Sequence, residues 1–432
     1  MAVAAVAASA ARAAFPRRSR SDVPRLLTLE ADYSLATVRA RGLDDLVTAR
    51  DLGGFFDHVW SVHPSVGADA GTEQLAQPPA GPVSYSALSP RHTVVEGKIG
   101  RFRQLDAFPM LNFALSQRAL LGELQRIVRR EGINVIRASD PFYLAPLGMI
   151  LARSNRLPFV VRLIANYDMS FFAEGRPVYP KLFRSRAVEQ RVGRFVLRHA
   201  DLVAAGNDDI REYAIANGAP PDRTTVFRVG NLIEQIHFRS EPASRPSVNA
   251  ELGLGERPFI TCVSRLERVK HPEDFVAVLA DARASVPGLA GVLIGDGTMR
   301  DELEALARRL GVEDDLIFVG NREQDWIANA LSSATVVVSP LTGRSLVEAA
   351  LSATPVVAYD TDWQSEVVKD GETGVLVPYR DIQAMAAGVC KLLENTEYAV
   401  RLGANARAYT LDLMDPERLD AHERREYQKL LA

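Results

Sequence analysis

Cysteine is almost missing from this chain: its 432 residues include only Cys262 and Cys390, far apart. Two such cysteines build no disulfide framework and offer no metal-ligand spacing, and their scarcity fits a reducing cytosol. Long apolar runs are missing too; no stretch reaches the roughly 18 residues that a membrane-spanning helix needs. Nor does charge of one sign prevail. Lysine and arginine number 51 against 54 aspartate and glutamate, a net charge of −3, so no global field draws the chain to nucleic acid. No internal repeat of fixed period is found. What is present, 47% hydrophobic and 24% charged residues, is the composition of an ordinary soluble globular protein. The length predicts two domains with room for a large core.

The first residues are unusual. Met1–Phe15 is rich in alanine and valine, and arginines cluster in Pro16–Ser21. Positive charge mostly after the apolar stretch argues against a secretory signal. The acid-poor, arginine-containing composition also fits a transit peptide, but the preferred reading of residues 1–24 is a disordered leader. Beyond it, short apolar runs alternate with segments of helical period. Strands are expected at Arg25–Leu29, Val59–His63, Asn134–Ala138, Pro158–Ile164, Asp201–Ala204 and Thr225–Arg228, and helices at Leu111–Arg130 and Pro180–His199. Residues 67–89, rich in Gly, Ala, Pro and Ser, read as a long loop, and 239–257 as a linker with a short helix. The alternation restarts with strands at Phe259–Val263, Leu289–Ile294 and Leu316–Val319, separated by helices at Asp274–Ala284 and Met299–Leu310 and followed by one near Trp326–Ser332. Two βαβ series imply an α/β protein of two doubly wound, Rossmann-like parallel-sheet domains, 25–238 and 258–412, facing a central cleft. Ligands in such folds sit beyond the carboxyl ends of the strands. The last segment, 413–432, is expected to be a helix returning to the first domain.

Val336–Pro378 is the most informative stretch. It reads as a strand at Val336–Val338, a turn at Thr342–Ser345, a helix from Leu346, a second strand at Pro355–Ala358, and a glycine turn into a third strand. A turn that feeds a helix directly from a strand end aims backbone N–H groups and the helix dipole at one point, which suits a phosphate. Glu348 sets a carboxylate beside that point; it repels phosphate and suits a ribose diol. Arg265 and Lys270 follow another strand end, where an arginine fork and a mobile lysine charge suit a phosphate; a solvated loop is the plainer alternative. Gly295-Asp296-Gly297 is a third strand-end turn, where glycine admits another backbone or a ligand.

Taken in order, these motifs resemble the nucleotide-binding half of the retaining family-4 glycosyltransferases, the group 1 glycosyl transferases of GT-B fold. The resemblance rests on Ser264-Arg265-Leu266 with Lys270, Gly295-Asp296-Gly297, Phe318-Val319-Gly320, Ser339-Pro340, Gly343, Glu348-Ala349-Ala350, Pro355-Val356-Val357-Ala358, Glu366-Val367-Val368, Gly371 and Gly374-Val375-Leu376-Val377. It covers about residues 225–410; the first half shares only the general layout. The resemblance implies a hexosyltransferase-like enzyme that takes a sugar from a nucleotide-diphosphate donor. Arg265 and Lys270 would hold the diphosphate and neutralise it as it leaves. Backbone amides across Gly343, Arg344, Ser345 and Leu346 would hold the distal phosphate, and Glu348 the ribose hydroxyls. Asn321 and Arg322 would flank the base, and Glu366 would brace the loop under the sugar. No cofactor or metal is implied, because cationic side chains and a helix dipole take the metal's role; Asp360-Thr361-Asp362 reads as a loop rather than a metal site.

The chain departs from the family pattern in three places. Pro340 stands where the family has a sugar-side glutamate. Glu30-Ala31-Asp32-Tyr33-Ser34 replaces the glycine pair after the first strand. No histidine lies near Ile164–Asn166. Asn166 and Asp168 are the acceptor-side candidates, with a helix or turn cap the alternative for Asp168. His58 and His63 fall on opposite faces of a strand and do not share a metal. Arg191, Arg194 and Arg198 share a helix face, read as solvated, with contact to anionic lipid or a lipid-linked acceptor the alternative. The expected location is cytoplasmic, or the inner face of a membrane. A nucleotide-sugar epimerase and a non-catalytic nucleotide-sugar-binding subunit are the rival functions.

Overall fold

The computed structural model describes residues 23–30, 35–40, 44–66, 83–98, 102–105, 107–228, 233–239 and 241–432. Residues 1–22 of the expected leader, Ala31–Ser34, and 67–82 of the expected loop lie outside the described residues. The chain divides into two compact units. One holds residues up to Ala138 with Leu147–Phe159, and the other Ser139–Pro146 with Val160–Leu430.

In the first unit, β1 (Arg25–Leu29) runs parallel between β2 (His58–Val66) and β5 (Val135–Ala138). Leu26, Leu27 and Leu29 are fully buried, as expected of a parallel strand covered on both faces. β4 (His92–Lys98) lies parallel to β2, and β3 (Val83–Ser89) is antiparallel to β4. β3 corrects the last part, 83–89, of the expected loop. Its serines alternate with Val83, Tyr85 and Ala87 and its exposure alternates with them; this is the period-2 pattern of a half-exposed edge strand, disguised by a serine-rich composition. β2 runs past the expected end at His63, through Pro64, with a register shift between His63 and Val66. A proline that cannot donate to the ladder belongs at such an irregularity.

In the second unit, β6 (Phe159–Leu163) pairs in parallel with β7 (Leu202–Ala205), and β7 with β8 (Thr224–Val226). The helix expected from Pro180 starts instead at Arg186, because the Ser185 side chain accepts from the Val188 amide and fixes the N-terminus there. Arg191, Arg194 and Arg198 are exposed, while Val196 and Leu197 are buried. The helix Pro416–Leu431 packs on the residues around β8: His422 Nε2 lies 3.0 Å from Thr225 Oγ1, and the Tyr427 and Phe227 rings are 6.0 Å apart.

The six remaining strands are β9 (Phe259–Val263), β10 (Ala290–Ile294), β11 (Leu316–Gly320), β12 (Val336–Ser339), β13 (Val356–Asp360) and β14 (Val375–Pro378). They form one parallel sheet in the order β11-β10-β9-β12-β13-β14. Successive residues feed opposite cores: Ile260, Leu293, Val338 and Val357 one, Phe259, Val292, Val337 and Val356 the other. Both faces are therefore covered, and the doubly wound parallel sheet expected from the sequence is present. Val248 and Leu254, in the stretch read as linker, belong to the second core, and Arg245 Nη1 donates to Ser332 Oγ and Ser352 Oγ at 2.8 and 3.0 Å.

Candidate active site

The site is built at the carboxyl ends of β9, β10 and β12. Beyond β9 the backbone of Ser264–Leu266 lies against the Gly295-Asp296-Gly297 turn, with Ser264 N donating to Ile294 O at 2.9 Å and Leu266 N to Asp296 O at 3.0 Å. A Cβ on Gly295, whose φ is 127°, would stand 2.0 Å from Ser264 O, and one on Gly297 2.5 Å from Leu266 O. The two glycines thus admit another backbone, and that contact positions exposed Arg265.

Arg268–Lys270 forms a 3-10 turn closed by His271 at a φ of 51°. Lys270 is held next to Gly343: a Cβ built on Gly343 would be 3.4 Å from Lys270 Nζ. Burial, then the neighbouring Arg265, lowers the Lys270 pKa, with Asp362 pulling the other way, as expected where burial and a second cation outweigh a nearby anion. Gly343, at φ 73° and ψ −129°, heads the helix Arg344–Leu351. Ser345 Oγ donates to Val263 O at 2.6 Å and ties this helix to β9. The Leu346 amide is bonded to Gly343 O at 3.0 Å, so Leu346 adds no donor of its own. Two cations, a glycine turn and a helix N-terminus on adjacent strand ends can hold a phosphate.

Glu348, 2% exposed, lies one turn into that helix. Arg344 Nε is 3.2 Å from Oε1, yet Oε1 has no hydrogen-bond partner of good geometry. Burial raises the Glu348 pKa against the opposing pull of Arg344. A buried carboxylate oxygen held only by a poorly aligned ion pair can still accept from hydroxyl donors. Asn321 is exposed beyond β11. Arg322 is engaged elsewhere, stacked over Trp326 at 4.8 Å and 3.7 Å from Glu251.

Beyond β13 the chain is stitched to the Pro340 loop by Gln364. Its Nε2 donates to Pro340 O and Tyr359 O at 3.0 Å each, and its Oε1 accepts from Ser339 Oγ at 2.8 Å. Glu366 follows. Its Oε1 accepts from the Asp208 and Asp209 amides at 2.7 and 3.2 Å, and its Oε2 pairs with Arg228, which also pairs with Asp208.

Comparison with known proteins bears on this arrangement. The glycosyl transferases group 1 description matches residues 245–409, and the glycosyl transferase 4-like domain matches 75–230. The chain belongs to the group 1 glycosyltransferases. A GDP-mannose-dependent alpha-(1-6)-phosphatidylinositol monomannoside mannosyltransferase of Mycobacterium tuberculosis is 30% identical over 188 residues, 41% of this chain and 49% of that protein. An alpha-D-kanosaminyltransferase of Streptomyces kanamyceticus is 29% identical over 270 residues, 60% of this chain and 67% of that protein. The chain spans about half the length of the first of these relatives. Among solved structures, HepE of Anabaena in complex with UDP and glucose shares the fold at a TM-score of 0.69 and 19% identity, over 94% of this chain and all of that one.

In this group 1 glycosyltransferase the acceptor-side candidates have different surroundings. Asn166 is the N-cap of the helix Tyr167–Glu174, accepting from the Asp168 and Met169 amides, and its Nδ2 donates to Asp209 Oδ2 at 3.0 Å. Asp168 accepts from Arg186 at 2.7 Å, Gln190 at 3.0 Å and Asn217 at 3.3 Å, and its side chain stays 46% exposed. His58 bonds Thr93 at 2.8 Å, and His63 is buried. Sequence reasoning missed Asp209 and Arg228. Nothing local signals either, since their link to Glu366 spans more than a hundred residues.

Proposed function

We propose that the protein transfers a sugar from a nucleotide-diphosphate donor to a hydroxyl acceptor with retention of anomeric configuration. The observation that best supports this reading is the Glu348 carboxylate, buried one turn into the helix whose N-terminus meets Lys270, with no well-aligned hydrogen bond at Oε1 beyond its ion pair with Arg344. A ribose diol would satisfy that oxygen, and the donor's phosphates would then fall toward Gly343, Arg265 and Lys270. The diphosphate is the leaving group, and stabilising its developing charge is most of the catalysis. In this reading Arg265 and Lys270 supply that stabilisation themselves, and no metal or other cofactor is called for. In this reading the Asp208–Arg228–Glu366 cluster fixes the loop under the sugar. No helix among the described residues is long and apolar enough to cross a membrane. This reading places the enzyme in the cytoplasm or at the inner face of a membrane, with a carbohydrate, lipid-linked or small-molecule acceptor.

The test is a panel of UDP- and GDP-sugars assayed for nucleoside diphosphate release and sugar transfer, with Arg265→Ala and Lys270→Ala in parallel. Both variants are expected to lose turnover. Undiminished turnover in both would remove the diphosphate assignment, and nucleotide binding with no turnover on any donor would favour a binding subunit.

A further inference from the structure

Lys270 is followed by a backbone conformation that the local sequence disfavours. His271 takes φ 51° and ψ 46°, in the left-handed region, and it precedes Pro272. A residue with a Cβ avoids that region, and a following proline pushes its neighbour toward extended backbone. Such a residue persists only where its surroundings over-determine it. His271 N donates to Arg268 O at 3.1 Å, closing the turn that carries Lys270, and His271 O accepts from Asp274 N at 3.1 Å. His271 stands at the N-cap of the helix Pro272–Ser285, yet its side chain makes no capping bond. The ring turns instead to the loop after β14: Nε2 lies 2.8 Å from Tyr379 Oη, and Nδ1 lies 3.4 Å from Glu273 Oε1.

That loop is itself braced. Arg380 is a second left-handed residue, at φ 65°, and its Nη1 donates to Glu273 Oε1 and Asp274 Oδ2 at 2.9 Å each. Asp274, 1% exposed, also accepts from the Tyr359 hydroxyl at 2.8 Å, and the Tyr359 and Tyr379 rings meet edge to face at 5.7 Å. Burial would raise the Glu273 carboxyl, but hydrogen bonds from His271 and Arg380 hold it down to about 2. Glu273 is thus an anion. An imidazole that turns its Nδ1 proton to Glu273 leaves Nε2 to accept from the Tyr379 hydroxyl.

Glu273 and Asp274 would repel a phosphate, so the network does not bind the donor's diphosphate. What it reaches is the turn that carries Lys270. We propose that His271 and Tyr379 are positioning residues for Lys270: their contact locks the left-handed turn and holds the ammonium beside Gly343, where a Cβ would stand 3.4 Å from Nζ. This role rests on the diphosphate reading of Lys270 given above. A lysine ammonium rides on a flexible four-carbon stem, and fixing the backbone next to it narrows where the charge can go. A charge held in place beforehand needs no reorganisation as the leaving group develops its own.

The test is a double-mutant cycle on the full chain. It is read in kcat for nucleoside diphosphate release from UDP- and GDP-sugars, in UDP and GDP affinity by calorimetry, and in the urea midpoint. Tyr379→Phe keeps the ring and removes only the hydroxyl; it is expected to lower kcat about 3- to 10-fold, the effect of one lost hydrogen bond, with little change in the urea midpoint. His271→Gly accepts the left-handed backbone but loses both ring contacts, and is expected to lower kcat further, toward about 10²-fold. In a Lys270→Ala background both substitutions are expected to change kcat and affinity by less than about twofold, because the group they position is gone. Equal losses with and without Lys270 would make the network a general support of the domain and overturn the positioning role. Wild-type kcat and affinity in both single variants, beside a defective Lys270→Ala, would also overturn it and leave the nucleotide-sugar reading intact. A Lys270→Ala variant with undiminished turnover and affinity, or a wild type that neither binds nor cleaves any of these donors, overturns both.

Discussion

Two strand ends in this protein bury charge, and they do so in opposite ways. At the end of β1, Glu30 is 4% exposed and pairs with Arg50, with Arg137 Nη2 3.7 Å away. Arg137 Nε donates to Thr28 Oγ1 at 3.1 Å, Arg50 Nη1 to Ser61 Oγ at 3.2 Å, and Ser61 Oγ lies 2.8 Å from His92 Nε2. Burial alone would raise the Glu30 carboxyl; Arg50 and Arg137, with His63 and His92, hold it below its usual value. At the ends of β9 and β12 the opposite holds. Burial and Arg265 outweigh Asp362 and lower the Lys270 pKa, and burial outweighs the ion pair with Arg344 and raises that of Glu348. A charge whose partners outweigh burial makes a fixed support, whereas one whose partners do not is poised to gain from a further partner. The same residue types thus serve structure in one place and binding in the other.

That contrast can be broken by mutation. Glu30→Ala leaves Arg50 and Arg137 buried without their anion and is expected to cost about 3–5 kcal/mol of stability, read as a lower urea midpoint, with nucleoside diphosphate affinity unchanged. A nucleotide-binding defect of similar size would mean that the β1 cluster is part of the binding machinery. Lys270→Ala is the reverse case: turnover should fall about 10²–10³-fold with little loss of stability. Glu348→Gln should act with opposite signs on the two properties. Removing a buried, poorly matched charge should raise the melting temperature, while affinity for nucleoside diphosphate drops by about 1.5–3 kcal/mol and affinity for pyrophosphate holds. A lower melting temperature would show that Arg344 fully compensates Glu348.

The smallest effect near neutral pH is the acid response of the matched cluster. Burial takes His63 down to about 4 and His92 to about 3. A folded-state pKa below the unfolded value means that the neutral rings favour the fold. Their contribution is complete above about 6.5 and is lost as pH falls toward those values. Glu30, with its lowered pKa, loses its contribution in the same direction at still lower pH. Melting temperature against pH should therefore fall below about 6.5, and His63→Phe should flatten the upper part of that slope.

The β9, β10 and β12 ends were legible in the sequence because each is local. A strand, a glycine and a helix start are neighbours in the chain, so Arg265, Lys270, Gly343 and Glu348 could be read before any packing was known. β3 was not legible, because serine hid its alternation, and the helix at Arg186 was read six residues too long because charged residues before Ser185 continue the helical composition. Asp168 was legible as a candidate but its network was not, since Arg186, Gln190 and Asn217 reach it from 18, 22 and 49 residues away.

By itself, then, the sequence determined the two parallel α/β series and the phosphate-type turn, because backbone sterics and side-chain period act over a few residues. Tertiary structure alone decided which charges are matched. Glu366 meets the Asp208 amide across 158 residues, and Arg228 across 138. Electrostatic pairing depends on distance and burial in space, and neither is a property of neighbours in the chain.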